Sequence, residues 1–222
     1  MTDALTMISA PGYEFTRTWF RKNAPAWANV FANLRPAAVL EIGSFEGYSA
    51  CWAIAQAQVI GVQAFELHCI DTWEGGIEHQ IGSKEAVEMA AVERRFTANI
   101  AKARRDSAVP RLDVHVHKGL SHLGLGDLIA QRKLGHFDLI YVDGSHQAPD
   151  VLSDAVMCFP LLRVGGIMVF DDYLWTVDEQ GRQDPLAMPK PAVDAFANLF
   201  MRKIAVIKGG TREQLFMRKH AD

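Results

Sequence analysis

The sequence predicts an α/β fold: a doubly wound, mostly parallel seven-stranded sheet with helices on both faces and a C-terminal antiparallel hairpin. Three observations carry that reading. From residue 36 onward, short apolar runs alternate with longer helical stretches, the rhythm of strand–helix–strand crossovers. The last two apolar runs flank a turn carrying Gly209-Gly210, which is too short for a crossover and joins antiparallel neighbours. Finally, 222 residues at 49% hydrophobic and 22% charged suit one folded domain with a full core.

The elements follow in order. An aromatic group, Tyr13, Phe15, Trp19 and Phe20, opens the chain, and Trp27, Val30, Phe31 and Leu34 then recur at helical spacing. Residues 1–35 are therefore expected as a helical segment that packs on the core or serves as a lid, with residues 36–222 as the main domain. Strands are expected at 38–42, 67–71, 112–116, 137–142 and 167–170, and the closing pair at 204–207 and 214–217. Helices are expected at 48–58, 84–104, 123–133 and 150–162, the last ended by Gly165-Gly166.

Composition narrows the function classes. A net charge of −3 supplies no overall positive field for nucleic acid or an anionic membrane, so neither partner is expected. The longest apolar runs, such as Gly166-Ile167-Met168-Val169-Phe170, are strand-sized and too short to cross a bilayer. The start, Met1-Thr2-Asp3-Ala4, lacks the basic and apolar regions of a secretory leader. Cys51, Cys69 and Cys158 are dispersed in apolar segments with no C-x-x-C spacing, so buried reduced thiols and a cytoplasmic location are expected.

The first strand runs into Glu41-Ile42-Gly43-Ser44-Phe45-Glu46-Gly47-Tyr48-Ser49. In open α/β sheets, ligands sit beyond the carboxyl ends of strands at the point where strand order reverses. The G-x-x-x-G spacing places Phe45 where a dinucleotide fingerprint needs its middle glycine, which counts against a nicotinamide dinucleotide. Glu41 interrupts an apolar strand, and a buried carboxylate there calls for a partner. The second strand ends at Asp71, which can accept from vicinal ribose hydroxyls or cap a turn.

This segment resembles motif I of class I S-adenosylmethionine (SAM) dependent methyltransferases, which share a Rossmann-like sheet. The resemblance implies that Glu41, Gly43 and Ser44 line the methionine part of SAM, with Glu41 facing its ammonium group. It extends the expected cofactor contacts to Gly47, Tyr48, Asp71, Thr72, Trp73, Gly119, Ser121 and Asp143.

Two further strands end in carboxylates. One is Tyr141-Val142-Asp143-Gly144-Ser145-His146; the other is Gly165-Gly166-Ile167-Met168-Val169-Phe170-Asp171-Asp172-Tyr173. If these strands are adjacent, Asp143, Asp171 and Asp172 converge, and like charges so crowded call for a cation. Oxygen ligands suit a hard ion, Mg²⁺ or Ca²⁺, rather than zinc. The pattern resembles the small bacterial methyltransferases related to macrocin and mycinamicin sugar O-methyltransferases, and more distantly catechol and caffeoyl-coenzyme A O-methyltransferases. That resemblance covers residues 38–173 and implies Asp143, Asp171 and Asp172 as ligands of a divalent cation, Mg²⁺ foremost. It also implies a small-molecule hydroxyl acceptor, such as a sugar or a catechol-like ring. Where the catechol-type enzymes carry a lysine base, this sequence has His146. Its imidazole can take a proton near neutral pH, cap the next helix or join the metal.

Other features say less. His115 and His117 share a strand face without a partner nearby in sequence, and a structural use is expected. His79 sits in a loop near the cofactor end. The stretch 174–190, with Trp175 and Arg182, is expected to shape the acceptor pocket. Exposed N-terminal aromatics would suit a homodimer. Two other readings stay open, a metal-independent SAM methyltransferase and a non-catalytic SAM- or nucleotide-binding protein.

Overall fold

A computed structural model of the chain describes residues 3–76, 87–176, 178–179, 181–207 and 210–222. The N-terminal segment holds α1 (Ala4–Ile8) and α2 (Ala24–Leu34), followed by β1 (Ala38–Ile42), α3 (Tyr48–Val59) and β2 (Ala64–Asp71). Next come α4 (Met89–Asp106), β3 (Arg111–Lys118), α5 (Ser121–Ala130), β4 (Phe137–Val142), α6 (Ala148–Leu161) and β5 (Leu162–Phe170). The chain closes with α7 (Lys190–Leu199), β6 (Ile204–Ile207) and β7 (Leu215–Lys219). The seven strands lie in the order β3-β2-β1-β4-β5-β7-β6. β1 to β5 pair in parallel, and β7 lies antiparallel to both β5 and β6, as the sequence predicts.

Burial on both faces explains the composition of the central strands. Every residue of β1 is buried, and its side chains alternate between two cores. Val39 joins Leu67, Tyr141 and Val169 beneath α3, α4 and the N-terminal helices. Leu40 and Ile42 join Ile140 and Met168 beneath α5, α6 and α7. Helices on both faces make the sheet doubly wound, and strand order reverses between β1 and β4. The N-terminal segment packs into the first core through Ala4, Ile8, Phe20, Trp27 and Phe31. Among the described residues, no helix is long and apolar enough to cross a membrane.

Several boundaries differ from expectation. β2 begins at Ala64, because the strand continues through Glu66, whose carboxylate is held by the Lys133 ammonium and two imidazoles. β5 begins at Leu162, so Gly165-Gly166 lies within a strand and does not end a helix. Those glycines serve close packing: a Cβ on Gly166 would sit 2.9 Å from the Asp138 carbonyl oxygen, beside the register shift between β4 and β5. α7 was not expected; it opens after Pro189 and buries Ala192, Val193 and Phe196. All three cysteines are buried and free, as anticipated.

Candidate functional site

The carboxyl edge of the sheet gathers the expected residues at the switch point between β1 and β4. The turn after β1 is sharply bent, with φ of +82° at Gly43, +47° at Phe45 and +79° at Gly47. A Cβ on Gly43 would lie 2.0 Å from the Asp143 carbonyl oxygen, and one on Gly47 would lie 3.0 Å from the Phe96 ring. The protein's own packing therefore requires both glycines. Phe45, Trp73 and Asp172 are non-glycine residues in left-handed conformation, and all three stand just past strand carboxyl ends. Strain of this kind collects where a site over-determines the backbone.

Glu41 lies beneath the turn, 2% exposed, on the α3 side of β1. Its carboxylate accepts from Ser44 Oγ at 2.7 Å and from the Ser49 hydroxyl on α3. The Cys69 thiol lies 3.7 Å away. Burial pushes Glu41 up to about 7, against the opposing effect of the two serine hydroxyls. Asp71 accepts from the backbone N–H of Ser44 at 2.8 Å and Phe45 at 2.9 Å, and from Trp73 N–H at 2.7 Å. It thus clamps the loops after β1 and β2 together.

The second half of the site follows β4 and β5, which are adjacent, with Val142 opposite Phe170. Asp143 and Asp171 donate backbone N–H groups to Ile42 and Val142 at 2.8 and 3.0 Å, so each loop leaves its strand in register with its neighbour. Asp171 accepts from the Tyr141 hydroxyl and, at 3.1 Å, from Gln214 Nε2. Trp27 Nε1 in turn donates to Gln214 Oε1 at 3.0 Å, tying the N-terminal helix to this edge. Asp172 Oδ2 lies 2.9 Å from His146 Nε2, and the His146 ring stacks on Trp175 at 4.0 Å. Burial, then the Asp171 and Asp172 charges, hold Asp143 well above the usual carboxylate range. Burial and Asp172 raise Asp171 as well. A strand-end turn over a helix N-terminus, beside a histidine and three carboxylates that repel one another, can hold a polar cofactor and manage a proton next to it.

A family model described as a methyltransferase domain matches residues 40–173. The chain belongs to that methyltransferase family. The match runs from β1 to the Asp171-Asp172 loop, and so takes in both halves of the site. No curated protein sequence matches the chain. Among solved structures it is similar to an O-methyltransferase from Bacillus cereus in complex with S-adenosylhomocysteine, at 16% identity and TM-score 0.61, covering 98% of this chain and 88% of that one. It is also similar to the SAH-bound methyltransferase PaMTH1 of Podospora anserina, at 18% identity and TM-score 0.60, covering 99% and 88%. A third is the O-methyltransferase TomG of Streptomyces achromogenes, involved in tomaymycin synthesis and solved with SAM, at 16% identity and TM-score 0.56, covering 98% and 86%. At these identities the likeness shows the fold.

On this methyltransferase fold, the remaining expected residues scatter. Trp73 is 5% exposed, packs on Phe96 at 4.6 Å and donates from Nε1 to the Phe45 carbonyl at 2.9 Å, so it props the turn from within the core. Ser121 opens α5, which packs beside α6 on the face of the sheet opposite α3. Gly119, at φ +148°, has open space where a Cβ would point and donates its N–H to the Asp71 carbonyl at 2.9 Å. Thr72 Oγ1 accepts from Glu74 N–H at 3.1 Å, and Tyr48 meets Phe15 edge-on at 4.8 Å. His79 lies outside the described residues.

Three features went unread in the sequence. Tyr141 and Gln214 brace Asp171 from distant points of the chain. Glu46, inside the glycine turn, accepts from the Thr16 hydroxyl at 2.7 Å and from Arg95 Nε at 2.5 Å. Asn99 on α4 donates to the Glu46 and Glu14 carbonyls, both at 2.9 Å. Together these seat residues 14–19 over the turn, with Trp19 against Phe45 at 5.3 Å. The one sequence signal for this was an acidic residue at a turn position where burial is expected.

Proposed function

We propose that this methyltransferase transfers the methyl group of SAM to a hydroxyl of a small molecule, with His146 as the proton acceptor. One observation supports the reading most: the bent Gly43–Gly47 turn and the Asp143, Asp171, Asp172 and His146 cluster meet at the switch point of one sheet. The solved relatives named above hold SAM or its demethylated product on the same fold. When bound, SAM supplies the methyl group as an electrophile.

The chain's own residues fit that cofactor. The first turn of α3 has no side-chain cap, so its N–H groups can receive a carboxylate. Glu41 supplies buried negative charge beneath the turn, and Ser44 and Ser49 carry it towards the loop. Asp71, which already accepts from the Ser44, Phe45 and Trp73 amides, keeps about one lone-pair site, on Oδ1, for a ribose hydroxyl. His146 Nε2–H donates to Asp172 at 2.9 Å, so the imidazole takes the acceptor's proton at Nδ1, and Asp172 stabilises the resulting imidazolium. Trp175 fixes the ring plane by stacking.

Three carboxylates also suit a hard divalent cation, which would relieve the repulsion that raises Asp143 and Asp171. Asp143, Asp171 and Asp172 would hold it only after drawing together, since among the described residues they do not bring one oxygen each within 4.8 Å of one another, and it would then lower the pKa of the acceptor hydroxyl. A metal-free enzyme is the second reading, favoured by the 2.9 Å bond between Asp172 and His146, which already occupies one ligand oxygen. The deciding experiment offers SAM and a panel of sugar and catechol-like hydroxyl acceptors to chelator-treated protein, with and without Mg²⁺. Transfer that needs Mg²⁺ and is lost in Asp143→Ala supports the metal reading; Mg²⁺-independent transfer lost in His146→Ala supports the metal-free one. No methyl transfer to any hydroxyl overturns both.

A further inference from the structure

A second cluster of ligand-type side chains sits on β2 and β3, away from the cofactor edge. Glu66 and His68 alternate onto one face of β2, and His115 stands opposite His68 on the edge strand β3. His68 Nε2 lies 2.6 Å and His115 Nε2 3.9 Å from Glu66 Oε1. One ligand atom from each of the three residues falls within 4.8 Å of the others. Glu66 is roughly 16 Å along the strand from Asp71, so the cluster is distinct from the carboxylates at the other end of the sheet.

We propose that Glu66, His68 and His115 form a transition-metal site of the zinc class that staples edge strand β3 to β2. Two imidazoles and one carboxylate suit Zn²⁺ or a related borderline ion, not Mg²⁺. The outer partners have the arrangement such sites use. His68 Nδ1 lies 2.9 Å from His117 Nε2, so with Nε2 on the ion, the Nδ1–H donates to His117 and fixes the tautomer. Glu66 keeps Oε1 for the ion while Oε2 lies 2.9 Å from His136 Nε2. Ligands of a tetrahedral zinc ion are about 3.3 Å apart, so the site closes by a rotation of His115, which is 48% exposed and would leave its stack on His68 at 4.4 Å. An open depression lined by Glu66, Asp113 and His136 gives access from the amino edge of the sheet. Lys133 Nζ lies 2.7 Å from the same Oε1, so its ammonium competes with the ion for that oxygen.

The test uses the full chain carrying Asp143→Ala and Asp171→Ala, stripped with chelator and dialysed against Zn²⁺, with Co²⁺ absorption reporting ligand geometry. One Zn²⁺ per chain is expected, with a raised melting temperature. His115→Ala and Glu66→Gln should each weaken Zn²⁺ binding by at least about 100-fold. Lys133→Met should tighten it. His115 is exposed enough that its variant tests the site without touching the core, and its unfolding curve without metal should match the parent's. The proposal fails if no Zn²⁺ binds at micromolar concentration, if His115→Ala keeps the parental affinity, or if Lys133→Met weakens binding.

Discussion

Replacing Glu41 by Gln separates the cost of a buried charge from its use. In the unfolded chain this carboxyl ionises near its ordinary value of 4.5, whereas in the folded protein burial pushes it up to about 7. Between those values the folded state binds more protons than the unfolded state, so stability falls as pH rises through that window and levels off above it. At ~1.4 kcal/mol per pH unit, the gap makes ionised Glu41 cost about 3 kcal/mol above pH 7. Glutamine keeps the shape, and the Ser44 and Ser49 hydroxyls can rotate to serve a neutral amide. Urea unfolding of both proteins from pH 4 to pH 8 should show Glu41→Gln gaining about 3 kcal/mol on wild type across the window. The same variant should bind SAM more weakly, because the cofactor's positive charge loses its partner beneath the turn. Parallel stability profiles for the two proteins would refute the reasoning, since Glu41 would then titrate alike in both states.

Other outcomes follow from the same geometry. Gly43→Ala puts a Cβ against the Asp143 carbonyl and a side chain at φ +82°, and should cost more than about 2 kcal/mol in thermal unfolding. Glu46→Gln leaves Arg95 without its buried partner and should cost roughly 3 kcal/mol, with limited proteolysis showing earlier cleavage before Phe20. His146→Ala should lower kcat about 10²–10⁴-fold while SAM affinity stays near wild type, a split seen by comparing turnover with calorimetry.

What the sequence made legible has a physical pattern. β1 and β4 were read to the residue because strands buried on both faces are continuous apolar runs bounded by charge or glycine. β2 was read short because Glu66 looks like a boundary, and only the fold brings Lys133 to pair with it and His68 and His136 to bond it. The glycine pair in β5 was read as a helix stop because a register shift between strands leaves no local trace. α7 was missed because it follows a proline-bearing loop and its apolar face is only three residues wide.

The site divides the same way. Asp143, Asp171, Asp172 and His146 could be brought together from strand adjacency alone, since each stands at or just beyond a strand end. Trp73 was expected beside the cofactor, yet its indole turns inward to Phe96, a choice of side that φ of +52° decides and that composition does not encode. Tyr141 reads as an ordinary core aromatic, and its pairing with Asp171 depends on β5 lying next to β4. His115 and His117 lacked partners in sequence because theirs stand on the neighbouring strand.

The central claim is that the switch-point turn holds SAM for methyl transfer. Calorimetric titration of SAM into the chelator-treated chain tests it most directly. One SAM per chain is predicted, with affinity reduced in Glu41→Gln and retained in His146→Ala. An absence of SAM binding by the folded protein would contradict the account.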